Sequence, residues 1–451
     1  MKSGKRKAES GRQEAESGKR KVEPSAPPTH HPPPATRHPS RATNQAASAF
    51  RFPLSAFRFP LMALWLLACS AAWAQSPEGV QIVARDPAGH GLLCRTYGKT
   101  ILIVAGTPEQ MGAAQGTLLK PQVRKLVDRV LYLVGAADSI QSGRWFFDRM
   151  EEIQRRTLPY TPERFLVECD ALAKAAGVSQ RDGRCANLFP ERFHCTGVAV
   201  RGKATKDGSV LHARVLDYMR DVDLQQAAAV VVFMPEGRNA WMSLGYAGFV
   251  GTVTAMNQQG LAIGEMGGRG EGDWDGTPMS FLLRDVMERA GTVEEGLEIL
   301  RTARRTCEYY YVLSDKSRNM AAVHADARQI TVLRPGQQDP QLPRVPEDTV
   351  LISGRDRAEA LSKRIEQHYG RIDVPAMIEM IRRPVAMSSN LHNAIFAPET
   401  LDMWFADAGK HSPACDEPYA HCNLAALVRL YEGVAKKGTG AYIGMTAPFG
   451  E

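Results

Sequence analysis

Past residue 75 the chain has no apolar run of 18 residues, no excess of either charge, no Cys-x-x-Cys pair and no repeat at a period of 20 to 50 residues. Each absence removes a class of protein: a bilayer-spanning helix, a nucleic-acid-binding surface, a zinc module and a solenoid or propeller. The formal net charge of +7 does not contradict the second exclusion. Of 56 Lys and Arg, 12 lie in residues 1–75, together with only 4 of the 49 acidic groups. The basic excess therefore belongs to the leader, and the remaining chain is near neutral.

Residues 1–47, rich in Lys, Arg, Ser, Pro and Ala, offer nothing to pack and read as a disordered basic leader. "SAFRFPL" then occurs twice in tandem at 48–61, which resembles duplicated coding sequence and leaves open a translation start downstream of Met1. Arg51 and Arg58 precede "LMALWLLACSAAWAQ", with Ala72 and Ala74 at the small-residue positions of a signal-peptidase site. Residues 48–74 are thus expected to be a signal region cut after Ala74, giving a secreted or periplasmic protein with no membrane span. A lipid anchor at Cys69 is the alternative. Seven cysteines remain: Cys94, Cys169, Cys185, Cys195, Cys307, Cys415 and Cys422. An odd count in an exported chain leaves one thiol free. If that one is Cys195, Cys415–Cys422 and Cys169–Cys185 are candidate bridges among the other six.

Apolar periodicity predicts short strands over 81–104. A helical stretch follows from Pro108, N-capped by Thr107, with Leu119, Val123, Leu126, Val127, Val130 and Leu131 on one face. A second helical region spans about 144–177. After Cys195 the period becomes two. "CTGVAV" and "SVLHARV" flank an Asp207-Gly208 turn, "AAAVVVFM" pairs with "NAWMSLGYA", and a third hairpin turns at Asn257–Gly260. Helices at 279–290 and 293–304, three further strands, helices near 357–368 and 374–382, and strands in "NLHNAIFAP" and "LDMWFADA" complete the series. Antiparallel hairpins with helices inserted in blocks predict an α+β fold. The boundaries expected are an N-terminal segment 75–194 and a segment 195–451, together one domain.

The chemistry gathers around "RFHCTGVAVRGKATKDGSVLHARVLDY" at 191–218. A free thiol needs a base or a cation to populate its thiolate. If the chain is cut before Cys195, its own new α-amine can take the proton. The returning strand brings Arg214, which adds positive field, and Asp217, which orients the amine. This segment resembles the mature N-terminus of the isopenicillin N acyltransferase-like (acyl-CoA:6-aminopenicillanate acyltransferase) family of cysteine N-terminal-nucleophile hydrolases. More distant relatives are choloylglycine hydrolase and the acid amidases. "GTPEQMGAAQG", "MNQQGLAIGEM" and "GRDRAEAL" are similar to three further blocks of that family, in order.

The resemblance implies a four-layer αββα sandwich, self-cleavage between His194 and Cys195, and catalytic roles for Cys195, Arg214, Asp217 and Arg357. The chain departs from the family pattern in placing His194 where Gly is frequent, and Tyr309 or Tyr310 where an asparagine is usual. The oxyanion hole is consequently unassigned, with Tyr310 a candidate; Asn257 is expected to serve its turn, with substrate contact the second reading. The Gly-rich "GGRGEGDWDG" at 267–276 lacks the Lys and following helix of a phosphate loop and reads as a mobile loop beside the site. The function expected is hydrolysis of a linear, non-peptide N-acyl amide, with no cofactor, no metal and no nucleic-acid partner. Acyl transfer on the same fold, and a non-catalytic binding protein that has lost processing, are the rivals.

Overall fold

A computed structural model describes residues 79–436 except 189–194, 219 and 269–271. The leader, the signal region with Cys69, and His194 lie outside the described residues. Among the described residues, sixteen strands form two sheets. The larger holds, in chain order, β1 (Gln81–Arg85), β2 (Gly91–Thr96), β3 (Lys99–Gly106), β6 (Ala228–Pro235), β7 (Trp241–Tyr246), β8 (Thr254–Asn257), β9 (Leu261–Gly267), β10 (Tyr309–Asp315), β11 (Met320–Ala325) and β12 (Ile330–Leu333), and that is also their spatial order. The smaller runs β13 (Thr349–Ile352), β4 (Thr196–Val200), β5 (Leu211–Asp217), β14 (Asn390–Ala397), β15 (Asp402–Asp407) and β16 (Ala420–Asn423).

The sheets pack face to face, and helices cover both outer faces. Strand β3 shows why its sequence is apolar throughout rather than alternating. Ile101 and Ile103 point between the sheets, where they join Val230, Val232, Phe396 and Phe405. Leu102 and Val104 point outward into a core shared with the helices. A strand buried on both faces has no solvent side to make polar. The third layer boundary lies under the smaller sheet, where Val198, Ala213 and Val215 meet Leu361, Ile365, Met377 and Met380 of two helices. The architecture is the αββα sandwich expected.

One strand pairing departs from the antiparallel expectation. β3 runs parallel to β6, with Ile101 opposite Val230 and Val104 opposite Phe233. A parallel pair needs a long crossover. Here the crossover includes the helical layer and the β4–β5 hairpin of the other sheet, which no local pattern reveals.

Thr107 caps α1 (Pro108–Leu118), accepting a hydrogen bond from the Gln110 amide, while the Gln110 side chain accepts one from the Thr107 amide. The helical run expected to continue past Leu118 is interrupted. Pro121 has no N–H to donate, so a second helix, α2 (Lys120–Leu126), starts there and passes into a wider π turn over Val127–Val134. Leu119, Val123, Leu126, Val127 and Leu131 are nonetheless buried on one side. After α3 (Gly135–Ser142) and α4 (Phe146–Thr157), α5 (Glu163–Ala176) crosses α1 at backbone contact. A Cβ on Gly112 or Gly116 would lie 2.2 Å from Glu168 O or 2.4 Å from Leu172 O. That is the structural reason for the Gly-rich block "MGAAQG".

A short helix α6 (Gln180–Asn187), β13, β16 and α11 (Leu424–Lys436) were not anticipated. The other helices, α7 (Met279–Arg289), α8 (Val293–Thr302), α9 (Arg355–His368) and α10 (Val374–Met380), fall where the periodicity puts them. α7 is tied to α5 by Arg284, whose buried guanidinium reaches Glu168 at 2.6 Å and Glu288 at 2.7 Å.

The expected disulfides are absent: Cys415 and Cys422, and Cys169 and Cys185, are not bonded to one another. Cys415 packs under the smaller sheet and Cys422 between the sheets, so the two side chains belong to different cores. Cys169 and Cys185 sit on separate helices of one core without bonding. Burial pushes the Cys94, Cys185 and Cys415 thiols up to about 11 and Cys422 up to about 12, and it raises Cys169 as well. None of these is a ready nucleophile.

Candidate active site

Cys195 stands at the head of β4, 3% exposed. The hairpin register is Thr196 opposite Val215 and Gly197 opposite Arg214, so the arginine starts one pleat along from the cysteine on the same inner face. Its side chain is fully buried and reaches back, with Nη2 3.5 Å from Cys195 Sγ. Nε and Nη2 also donate to the Glu265 carbonyl at 3.1 and 2.9 Å. The Glu265 carboxylate, itself buried, lies 3.5 Å from Nη2. The space for this arginine comes from β9: a Cβ on Gly264 would stand 2.7 Å from Arg214 Cγ.

Asp217 is three residues from Arg214, an odd number, so it leaves the strand on the opposite face. The Arg214 side chain thus lies on the face of the Cys195 sulfur, and that of Asp217 on the other. The Asp217 carboxylate instead faces the helices, where it accepts from the Met387 amide at 2.9 Å and pairs with Arg357 Nη1. Arg357, in the first turn of α9, donates through Nη2 to the Cys195 carbonyl at 3.1 Å. Arg357 thereby links the Asp217 carboxylate to the cysteine main chain. Burial raises the Asp217 pKa, and the Met387 amide and Arg357 pull against that rise.

Asn257 and Tyr310 have different surroundings. Asn257 is committed to structure: Nδ2 donates to the Met287 and Ala290 carbonyls at 2.9 and 2.6 Å, and Oδ1 accepts from the Gln259 and Leu261 amides at 3.1 and 3.0 Å. That fills its hydrogen-bonding capacity. Tyr310 lies on the same face of β10 as Val312, which lines the space beside Gly197. Its hydroxyl donates to Glu308 at 3.1 Å, and its ring stacks on His324 at 4.6 Å. The proposed cleavage point, His194, lies outside the described residues. Of the Gly-rich loop, the described end is tied at two points, although Asp273 and Asp275 are exposed: the Asp273 carbonyl accepts from the Cys307 amide at 2.9 Å, and Asp275 pairs with Arg156 at 2.6 Å.

Sequence reasoning missed Glu265. The available signal was an acidic residue inside the otherwise apolar "GLAIGEMG", since carboxylates are rarely fully buried unless partnered. His392 is likewise buried beside Arg214, with Nε2 3.5 Å from Arg214 Nη1.

Residues 205–339 match the model of the acyl-coenzyme A:6-aminopenicillanic acid acyl-transferase family. The match takes in Arg214, Asp217 and Glu265, and it agrees with the resemblance carried by "CTGVAVRGKATKDGSVLHARVLDY". Across the longer chain, the similarity to protein dcd1A of Dictyostelium discoideum is 24% identity over 369 residues, covering 70% of this chain and 83% of that protein. The N-acylethanolamine-hydrolyzing acid amidase of Mus musculus is 23% identical over 186 residues, covering 39% of this chain and 50% of the amidase. Among solved structures, the Caenorhabditis elegans ortholog of that amidase aligns with a TM-score of 0.38 at 17% identity, over 46% of this chain and 93% of that one.

Proposed function

We propose that the chain is a cysteine N-terminal-nucleophile amidohydrolase that cleaves a linear, non-peptide amide through a thioester. The observation that carries the proposal is the Arg214 guanidinium, buried with its Nη2 3.5 Å from Cys195 Sγ at the start of a strand. A cation held there in low dielectric favours the thiolate, the attacking form.

In this reading the peptide bond between His194 and Cys195 is cut first, which frees the Cys195 α-amine, a group of ordinary pKa about 8. The amine takes the thiol proton, and the sulfur bonds to the substrate carbonyl carbon. The carbon–nitrogen bond breaks, and the proton passes to the leaving nitrogen. Water then takes the acyl group from sulfur and restores the thiol. Arg357 fixes the main chain on which both sulfur and amine sit, which keeps them oriented through the two half-reactions.

The similarity to an acyl-transferase family supports a second reading, with an amine in place of water as acceptor. Export, supported by the basic-then-apolar segment ending at Ala74, separates the protein from cytoplasmic acyl-coenzyme A and favours water. The substrate class that fits is a small N-acyl amide.

Intact-mass analysis and a screen of N-acyl amino acids, acylated lactones and β-lactams test the proposal together. Active protein should comprise two fragments, one beginning at Cys195, and Cys195→Ala should remain a single folded chain without amidase activity. Wild-type activity in Cys195→Ala would reject the assignment.

A further inference from the structure

We infer that His392 is a positioning residue for the thiol. With Tyr246 fixing its tautomer, it presents a lone pair to Arg214 and so holds the guanidinium against Cys195; this rests on the nucleophile reading of Cys195. His392 lies on β14, fully buried, with Nδ1 3.0 Å from the Tyr246 hydroxyl and Nε2 3.0 Å from the Thr254 hydroxyl and 3.5 Å from Arg214 Nη1. Arginine nitrogens only donate. The tautomer with a bare Nε2 therefore suits the guanidinium, and the other would set N–H against N–H. In the favoured tautomer Nδ1 carries the proton and donates it to Tyr246 Oη, while the Thr254 hydroxyl shares the Nε2 lone pair. Burial and the nearby Arg214 charge both disfavour the imidazolium, so the ring stays neutral and remains an acceptor.

The arrangement repeats the logic of a catalytic triad one step removed: a third group orients a histidine, which orients the group that acts on the nucleophile. The other charged or titratable groups facing this pocket are Glu265 on β9, His212 on β5, Tyr310 on β10 and Asp407, the cross-strand neighbour of His392 on β15.

The test is the rate of Cys195 alkylation by iodoacetamide, followed by mass spectrometry of the Cys195 peptide from about pH 5 to 9. Thermal melting confirms that each protein is folded. His392→Leu removes the lone pair. It should raise the midpoint of the alkylation profile by about one pH unit and slow the reaction at neutral pH by about tenfold. His392→Gln, which returns an acceptor at the same reach, should stay within roughly twofold of wild type. Tyr246→Phe leaves the ring in place but frees its tautomer and should fall between the two. A His392→Leu profile superimposable on wild type overturns the inference; should that variant fail to fold, a Tyr246→Phe profile superimposable on wild type does so. If wild-type Cys195 itself titrates as an ordinary thiol, the nucleophile reading fails first, and that result is distinct from the other two.

Discussion

Arg357 joins the Asp217 carboxylate to the carbonyl of Cys195, although the three residues come from a helix start, a strand end and a strand start. Asp217 is almost wholly buried, so its charge depends on that partner. Removing one member of a buried pair strands the other. Arg357→Met should cost about 3–5 kcal/mol in urea unfolding. Arg357→Lys keeps the charge but loses the fork that spans both acceptors. It should therefore recover most of the stability while amidase activity stays down by on the order of 10². Full activity in Arg357→Lys would show that holding the Cys195 carbonyl is irrelevant to turnover.

Gly264 sets the position of Arg214 from below. Gly264→Ala places a methyl 2.7 Å from Arg214 Cγ and 3.1 Å from its Cβ. The backbone of β9 is paired with β10 and has little room to retreat, so the arginine must shift. Overpacking of this kind costs about 1–3 kcal/mol. The larger effect should be chemical: Cys195 alkylation slowed at least about tenfold as the guanidinium leaves the sulfur. Comparing melting temperature with alkylation rate in this variant separates the two effects.

Asp407 predicts a pH dependence of stability. Burial pushes its carboxyl up to about 6, against the opposing pull of Lys99 at 3.7 Å, and Oδ1 has no hydrogen-bond partner. The unfolded chain releases this proton near pH 4, while the folded chain holds it until about pH 6. Over that window the native state binds more protons than the unfolded state. Stability therefore falls as pH rises, by roughly 2–3 kcal/mol in total, and stays lower above it. Asp407→Asn should be more stable than wild type at pH 8 and show little gain at pH 4. Equal gains at both values would mean that the carboxyl titrates normally.

Much of this site could be read from one stretch of chain because a hairpin is local. Once Asp207-Gly208 sets the turn, the distance from Cys195 to Arg214 follows from strand register. The face of Asp217 is legible in the same way, since an odd spacing from Arg214 puts it on the other side. Glu265 and His392 could not be placed by such counting. They reach Arg214 from strands 51 and 178 residues further along the chain, and only sheet packing brings them there. The same limit explains the disulfides. Cys415 and Cys422 are close in sequence, yet the chain between them turns from one core to another. The helix α6, "QRDGRCAN", carries too few apolar residues to announce itself by periodicity.

The parallel seam of β3 and β6 bears on how such a protein could ever be assembled. Those two strands lie on either side of the bond before Cys195, and six residue pairs of main chain zip them together. Two halves made separately would have to meet by diffusion with half-built, adhesive sheet edges exposed. Continuous synthesis keeps the partners tethered until the seam has closed. Under the cleavage proposed ahead of the cysteine, this seam is the link that would hold the two fragments together.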